Sequence, residues 1–492
     1  MPVVNEFLSI SGEEIMKLVR YMAASVALLM TANVAFSASN AGLGTHQHWV
    51  TDPLFFAQEL LARPTDTAIT VNAGAIKKLE AYYEYGTKSG VYTGKTAMTT
   101  LPANEPVNVL IDKLKPDTQY FYRMRYREPG AAEYIARAEH TFHTARPPGS
   151  TFTFVAQFDP HMDENTNEDA YKLTLKNMLA DKPDFLIDVG DNSFVEKLRP
   201  ATKEGVEDRF QLIRPYYDLL THSAALFMAV GNHEGEWGKY LNGTPNNVAV
   251  YNTLARKRYA PGPESNGFYT GSTTQEPFIG LRQANYAWQW GDALFIVLDP
   301  YWHQPVAPEL SGDWFLTLGR EQYDWLKKTL ETSKAKYKFV FAHNLIGGAD
   351  MNGLMRGGIS AVKNLEWGGY NLDGTWGFDK ARPGWGKPIH QLLIDNKATI
   401  FFHGHDHLYA KEEMDGIVYQ EGPMPGSKNA GTNARNPYKY TGTVVGGTGY
   451  LRVRVSPDDV KVDYVQTWLP QQETATLKNA MLGDSYTIKS RK

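Results

Sequence analysis

Two kinds of hydrophobic pattern divide the chain. From about residue 53 to 147, short runs at 68–71, 79–85, 107–111 and 119–126 alternate apolar and polar positions. Gly86, Gly90, Gly94, Pro116-Asp117 and Pro129-Gly130 punctuate them. Period-two runs of this length between turn residues predict half-covered strands, the pattern of a β-sandwich. Ala145-Arg146-Pro147-Pro148-Gly149-Ser150 then reads as a linker. From 151 the apolar runs become continuous, at 152–156, 185–189, 225–230, 293–298, 338–342 and 399–402. Such runs are expected of strands covered on both faces, and amphipathic segments at 169–181, 320–333 and 388–396 supply covering helices. This half is predicted to be α/β. Runs at 451–455 and 460–465 predict a closing hairpin, which leaves 471–492 as a C-terminal tail. The expected division is 53–147 and 151–470.

Ahead of both, residues 16–41 carry Lys17 and Arg20, an apolar run from Tyr21 to about Ala32, and small residues at Ala35, Ser37, Ser39 and Ala41. That order suits a secretory signal and is too short for a membrane span. A buried N-terminal helix is the alternative. Met16 before Lys17 points to a start there, with 1–15 an upstream extension. The expected destination is the periplasm or the outside of the cell. No transmembrane anchor is expected in the mature protein.

Composition narrows the chemistry. At 42% hydrophobic and 21% charged, the 492 residues exclude a disordered, collagenous or coiled-coil chain. Lys+Arg 50 against Asp+Glu 54 leaves a net charge of −4, with no basic excess to signal nucleic-acid binding. Cysteine is absent, which removes disulfides, thiolate zinc sites, iron–sulfur clusters and a Cys nucleophile together. Any metal must be held by nitrogen and oxygen.

Residues able to do so follow five of the continuous runs. They are Asp159-Pro160-His161, Gly190-Asp191-Asn192, Gly231-Asn232-His233-Glu234, His343, and His403-Gly404-His405-Asp406-His407. Singly, each reads as a strand-end turn former or a hydrogen-bonded histidine. Five in order at strand ends instead predict one crevice, large enough for two divalent ions about 3.5–4 Å apart with a shared carboxylate such as Asp191.

The set D-x-H, GD, GNH(E), H and GHxH resembles the calcineurin-like metallophosphoesterases. With a fibronectin-type-III-like segment ahead of it (LKPDTQYFYRMRY, 114–126, Tyr120 at a tyrosine corner), the layout is most similar to purple acid phosphatases. The resemblance implies two central sheets flanked by helices, preceded by an all-β sandwich. It implies one metal on Asp159, His161, Asp191 and His407, a second on Asp191, Asn232, His343 and His405, and His233 as general acid or transition-state stabiliser. Phe194 stands where purple acid phosphatases carry a tyrosinate, and His161 is an added imidazole, so no purple colour is expected. Manganese, zinc or ferrous iron is the expected ion. Relatives often place an acid at the Phe194 position to orient the catalytic histidine; here Glu234 or Asp208 is the candidate.

Two long segments leave strand ends on that side. One, 237–278, carries Tyr240, Tyr251, Tyr259 and Tyr269; the other, between His343 and 388, carries Arg356, Trp367, Tyr370, Trp376 and Trp385. They either wall a pocket, with Arg356 on phosphate and Trp367 and Trp376 on the leaving group, or simply pin surface loops. The expected function is hydrolysis of a small phosphate monoester by metal-activated water. The alternatives are a phosphodiesterase or phosphonate-ester hydrolase, or a non-catalytic glycan- or surface-binding protein.

Overall fold

The computed structural model describes residues 43, 46–304, 313–345, 349–350, 353–354, 356–429, 431 and 436–490. The expected signal at 16–41 lies outside them.

The period-two region forms Ala57–Ala62 (β1), Ile69–Ala75 (β2), Leu79–Gly86 (β3), Gly94–Lys95 (β4), Thr99–Leu101 (β5), Glu105–Ile111 (β6), Gln119–Arg127 (β7), Ile135–Ala136 (β8) and His140–His143 (β9). Strands β1, β2 and β6 lie side by side, while β3 and β7 pair and carry β4, β5, β8 and β9 at their margins. Leu61, Val71, Tyr83, Tyr122 and Met124 are buried in their common core. The Lys115 backbone N–H donates to the Tyr120 hydroxyl at 2.9 Å, the bond of a tyrosine corner.

The second half opens with Phe152–Gln157 (β10), Phe185–Asp188 (β11) and Ala225–Met228 (β12), which pair in parallel. Then come Thr270–Gly271 (β13), Tyr286–Trp290 (β14), Ala293–Val297 (β15), Tyr337–Phe341 (β16), the small ribbon Ala349–Asp350 (β17) and Gly353–Leu354 (β18), and Ile400–His403 (β19). The remainder is Tyr409–Met414 (β20), Ile417–Glu421 (β21), Thr443–Val445 (β22), Thr448–Val455 (β23), Asp459–Thr467 (β24) and Leu482–Lys489 (β25). One sheet has nine strands in the order β25-β24-β23-β10-β11-β12-β1-β2-β6; the other has eight, β13-β14-β15-β16-β19-β21-β20-β22.

Two features depart from the sequence pattern. The linker at 145–150 does not separate the sheets, because β1 pairs in parallel with β12 (Ala62 opposite Leu226) and joins the N-terminal layer to the catalytic sheet. The tail at 471–492 is in part a strand. Residues 482–489 alternate along the edge of β24, and Tyr486 and Ile488 pack on the core.

Helices Glu168–Ala180 (α1), Lys203–Thr221 (α2) and Val248–Tyr259 (α3) form part of the core that includes Leu60, Val155, Leu186 and Leu226 from the nine-stranded sheet. Asn167 caps α1 by accepting from the Ala170 N–H. Helices Gly319–Thr332 (α4) and Ile389–Asp395 (α5) bury Leu326, Leu330, Leu392 and Leu393 with Ile296, Val340 and Phe401 of the eight-stranded sheet. Between the sheets lie Phe154, Phe185, Phe295, Phe339, Phe341 and Phe402, all fully buried. Each such ring contributes about 1.5–3 kcal/mol by leaving water, so the sheets are locked face to face.

Candidate metal centre

The locked sheets bring their parallel strands' carboxyl ends to one place. Asp159 and His161 follow β10, Asp191 follows β11, Asn232 and His233 follow β12, His343 follows β16, and His405 and His407 follow β19. His161 Nε2 lies 3.5 Å from Asp191 Oδ2 and 3.8 Å from Asp159 Oδ1, while His407 Nε2 is 3.5 Å from the same Asp159 oxygen. On the other side, His343 Nε2 is 3.0 Å from Asp191 Oδ2, 3.1 Å from Asn232 Oδ1 and 3.3 Å from His405 Nδ1. Asp159, His161 and His407 therefore converge on one point, and Asp191, His343 and His405 on another. Asp191 Oδ2 faces both groups.

Two atoms show that the donors suit a cation. His161 Nε2 and Asp191 Oδ2 are buried and make no well-directed hydrogen bond among the described residues, the 3.0 Å approach of His343 Nε2 to Asp191 Oδ2 being an ion-pair contact only. Buried polar atoms are nearly always satisfied, and orphans aimed into one shared space are what divalent-ion ligands look like before the ion is counted. The imidazoles set the charge. Burial alone would raise the Asp159 carboxyl, but His343 and His407 outweigh it and hold it well below the usual range.

Local sterics explain the motif spelling. Asp159, His161, Asp191, His405 and His407 all have positive φ, between 52° and 81°, a conformation costly for non-glycine residues and concentrated at functional sites. The glycines preceding the ligands make room for them. A Cβ on Gly231 would sit 2.2 Å from Asp191 Oδ1, and one on Gly404 would sit 2.4 Å from Asp159 Oδ2. Neither position admits alanine without displacing a candidate ligand carboxylate.

A second layer holds the candidate ligands. Asp159 accepts the His405 N–H at 2.9 Å, and Val189 O accepts from His343 Nδ1 at 3.0 Å, which leaves Nε2 for the centre. Glu234 does not orient His233. Its carboxylate accepts the N–H groups of Asp191 (2.8 Å), Asn192 (2.7 Å), Ser193 (3.0 Å) and Gly231 (2.5 Å), and burial followed by the Asp191 charge pushes it up to about 7. Asp208 bonds His48 instead. The residue that orients His233 is Glu196, two positions beyond Phe194, whose Oε1 lies 2.7 Å from His233 Nδ1. Phe194 packs against His233 and His161, with ring centroids 4.1 Å and 4.7 Å away. Arg209 of α2 is buried and donates to the carbonyls of His161, Met162 and Ser193, tying two ligand loops together.

The three expected substrate residues separate. Arg356 Nη1 bonds the His405 carbonyl at 2.6 Å and Asp406 at 2.9 Å, so it borders the centre but is already paired. Trp367 is fully buried and donates to the Tyr419 hydroxyl; it belongs to the core beneath the eight-stranded sheet and faces no substrate. Trp376 is exposed and lines a different cavity with Trp314 and Lys380. Instead, a cavity of about 330 Å³ opens beside His161 and His407, walled by Asp163, Asn165, Ser427 and Tyr438. Another of about 360 Å³ lies beyond Glu196, walled by Tyr240, Asn247 and Val248.

Strand-end Asp, Asn and His residues gathered over two stacked sheets define a metal-dependent phosphoester hydrolase. A sequence profile described as calcineurin-like phosphoesterase matches residues 159–409, and the chain belongs to that family. No curated protein sequence matches the chain. Among solved structures it is similar to PhoD (TM-score 0.60, 14% identity, 90% of this chain and 91% of that one). It is also similar to a purple acid phosphatase isolated from yellow lupin (Lupinus luteus) seeds (TM-score 0.57, 15% identity, 88% of this chain and 74% of that one). At these identities the likeness is one of fold.

Proposed function

We propose that the chain is an exported phosphomonoesterase working with two divalent ions, manganese, zinc or iron. Asp159, His161, Asp191 and His407 hold one ion; Asp191, Asn232, His343 and His405 hold the other. When bound, such a pair clamps phosphate oxygens, offsets their charge and acidifies water near neutral pH. The chain's own part is positioning and proton transfer. Asp191 is shared by both sets, and its buried, unbonded Oδ2 is the observation that carries the reading. Glu196 fixes the His233 ring through Nδ1, leaving Nε2, 3.9 Å from Asp191 Oδ2, to donate a proton to the leaving oxygen. The N-terminal sandwich, fibronectin-type-III-like in its tyrosine corner, carries no visible chemistry and serves to position the catalytic part.

The test is elemental analysis of the purified protein beside a phosphoester panel. Two ions per chain are expected, with turnover of p-nitrophenyl phosphate that a chelator abolishes and one added ion restores. A metal-free, inactive protein would leave the non-catalytic binding reading standing. Turnover of bis-p-nitrophenyl phosphate alone would select the diesterase, a second reading favoured by the cavities at His161/His407 and beyond Glu196. Export is checked by the N-terminal sequence of protein recovered outside the cytoplasm, expected to begin near residue 42. No helix among the described residues is long and apolar enough to cross a membrane.

A further inference from the structure

The two sides of the centre differ in charge. The cavity at His161 and His407 is lined by the carboxylates of Asp163 and Asp406. Around Glu196 the charges are of the other sign. His233 Nδ1 is 2.7 Å from its carboxylate and Lys197 Nζ is 4.0 Å away, and Lys239 also feels its field. One acid there lies among four basic side chains, the fourth being Arg199, which lines the cavity beyond Glu196.

Lys239 is the unexplained member. It is half-buried, yet among the described residues no carboxylate comes within 4.0 Å of its Nζ. Its close neighbours are two aromatic faces, Trp237 at 3.8 Å and Tyr240 at 5.1 Å from the ring centroids. Both rings connect to the centre. Trp237 Nε1 donates to the Asn232 carbonyl at 2.7 Å, and the Tyr240 hydroxyl donates to Glu196 Oε2 at 3.4 Å while its ring helps wall the cavity beyond Glu196. An ammonium that is partly desolvated without an anion is costly, and the aromatic faces offset only part of that cost. Burial accordingly lowers its pKa, and Glu196 offsets that only in part.

From these contacts we propose that Lys239 is a specificity-determining residue, the core of an anion subsite next to His233. It takes a second negative group, carboxylate or phosphate, carried on the alcohol of the phosphoester being cleaved. The proposal rests on the phosphoesterase reading, because His233 places the leaving alcohol on this side. The opposite cavity is lined by Asp163 and by Asp406, the latter already paired with Arg356.

The experiment uses two non-hydrolysable probes that differ by one charge, phenylphosphonate and 4-carboxyphenylphosphonate. Their binding to the metal-loaded full chain is measured by calorimetry, in the parent and in Lys239→Gln and Lys239→Arg. The parent is expected to bind the carboxylated probe about tenfold more tightly, the effect of one charge-assisted hydrogen bond. Lys239→Gln brings that ratio close to one, and Lys239→Arg keeps most of it. Equal binding of the two probes by the parent overturns the proposal, as does an unchanged ratio in Lys239→Gln. A lysine that only supports Trp237 would alter melting temperature without moving the ratio. Failure of the phosphoesterase reading shows separately, as absent turnover of p-nitrophenyl phosphate while the ratio persists.

Discussion

Two buried clusters of charge begin two residues apart, at Glu234 and Glu236, and they are built on opposite rules. Glu236 is saturated. Its Oε1 accepts from Asn252 and Arg256, its Oε2 accepts from Arg256 and Arg282, and Arg282 reaches on to Asp299. Burial would raise the Glu236 carboxyl, but Arg256 and then Arg282 overcome it and bring it to about 2. The cluster around Asp191 is the reverse, with Asp191 Oδ2 and His161 Nε2 unbonded and aimed at a common space. Burial and charge are common to both clusters. What separates the two is that both Glu236 oxygens are paired, with only Arg282 Nε left over, whereas at Asp191 a carboxylate oxygen and an imidazole nitrogen are left facing one space.

Four changes would break or sharpen that contrast. Asp191→Asn should lower phosphoesterase activity by about 10³-fold or more and cost at least one bound ion by elemental analysis, while the metal-free protein melts no lower than its parent. Full activity in this variant would remove the two-metal reading. Arg256→Met should do the opposite. Leaving Glu236 one guanidinium short costs about 3–5 kcal/mol in denaturant unfolding, with metal content per folded molecule unchanged. Glu196→Gln should lower kcat by about 10–100-fold, shift the acidic-to-neutral limb of the pH–rate profile and leave both ions in place. Loss of metal instead would make Glu196 part of the binding shell rather than a positioning residue for His233.

The smallest effect concerns a third pair, half-buried and apart from both clusters. His140 and His222 stack at 4.2 Å where the N-terminal region meets the end of α2. Burial, with His140 adding to it, lowers His222 to about 3. The native protein therefore binds fewer protons than the unfolded chain below pH 6.5. The penalty is absent above that pH and grows as the pH falls toward 3, reaching at most about 2 kcal/mol at pH 5. Melting curves at pH 7.5 and 5 should show a smaller loss in His222→Phe than in the parent. An equal loss would mean the pair does not govern the acid limb.

The contrast also explains what could be read from the sequence. The ligand motifs were legible because each follows an apolar run and three begin with a glycine that sterics require, at Gly190, Gly231 and Gly404. Glu196 was not legible, since it comes from the 3-10 turn Val195–Lys197 and carries no periodic signal. Helix α2 was hidden in the same way. It carries Pro215 and buries Arg209, Arg214 and Asp218, so its inward face does not read as an apolar stripe. Trp367 misled because it sits in a Gly-rich stretch that suggests an exposed loop. The one-turn helices Ile359–Val362 and Leu365–Gly368 lie on that stretch, and Trp367 packs against Phe401 at 4.6 Å.

The pairing of β1 with β12 bears on when the protein becomes an enzyme. A strand from the N-terminal region flanks the strand that presents Asn232 and His233, and β10, which presents Asp159 and His161, is flanked by β23 near the other end of the chain. Both contacts join positions far apart in sequence, which makes assembly slow and late. A nascent or proteolytically shortened chain would therefore have every ligand motif and still no centre. Activation would coincide with completion of the fold.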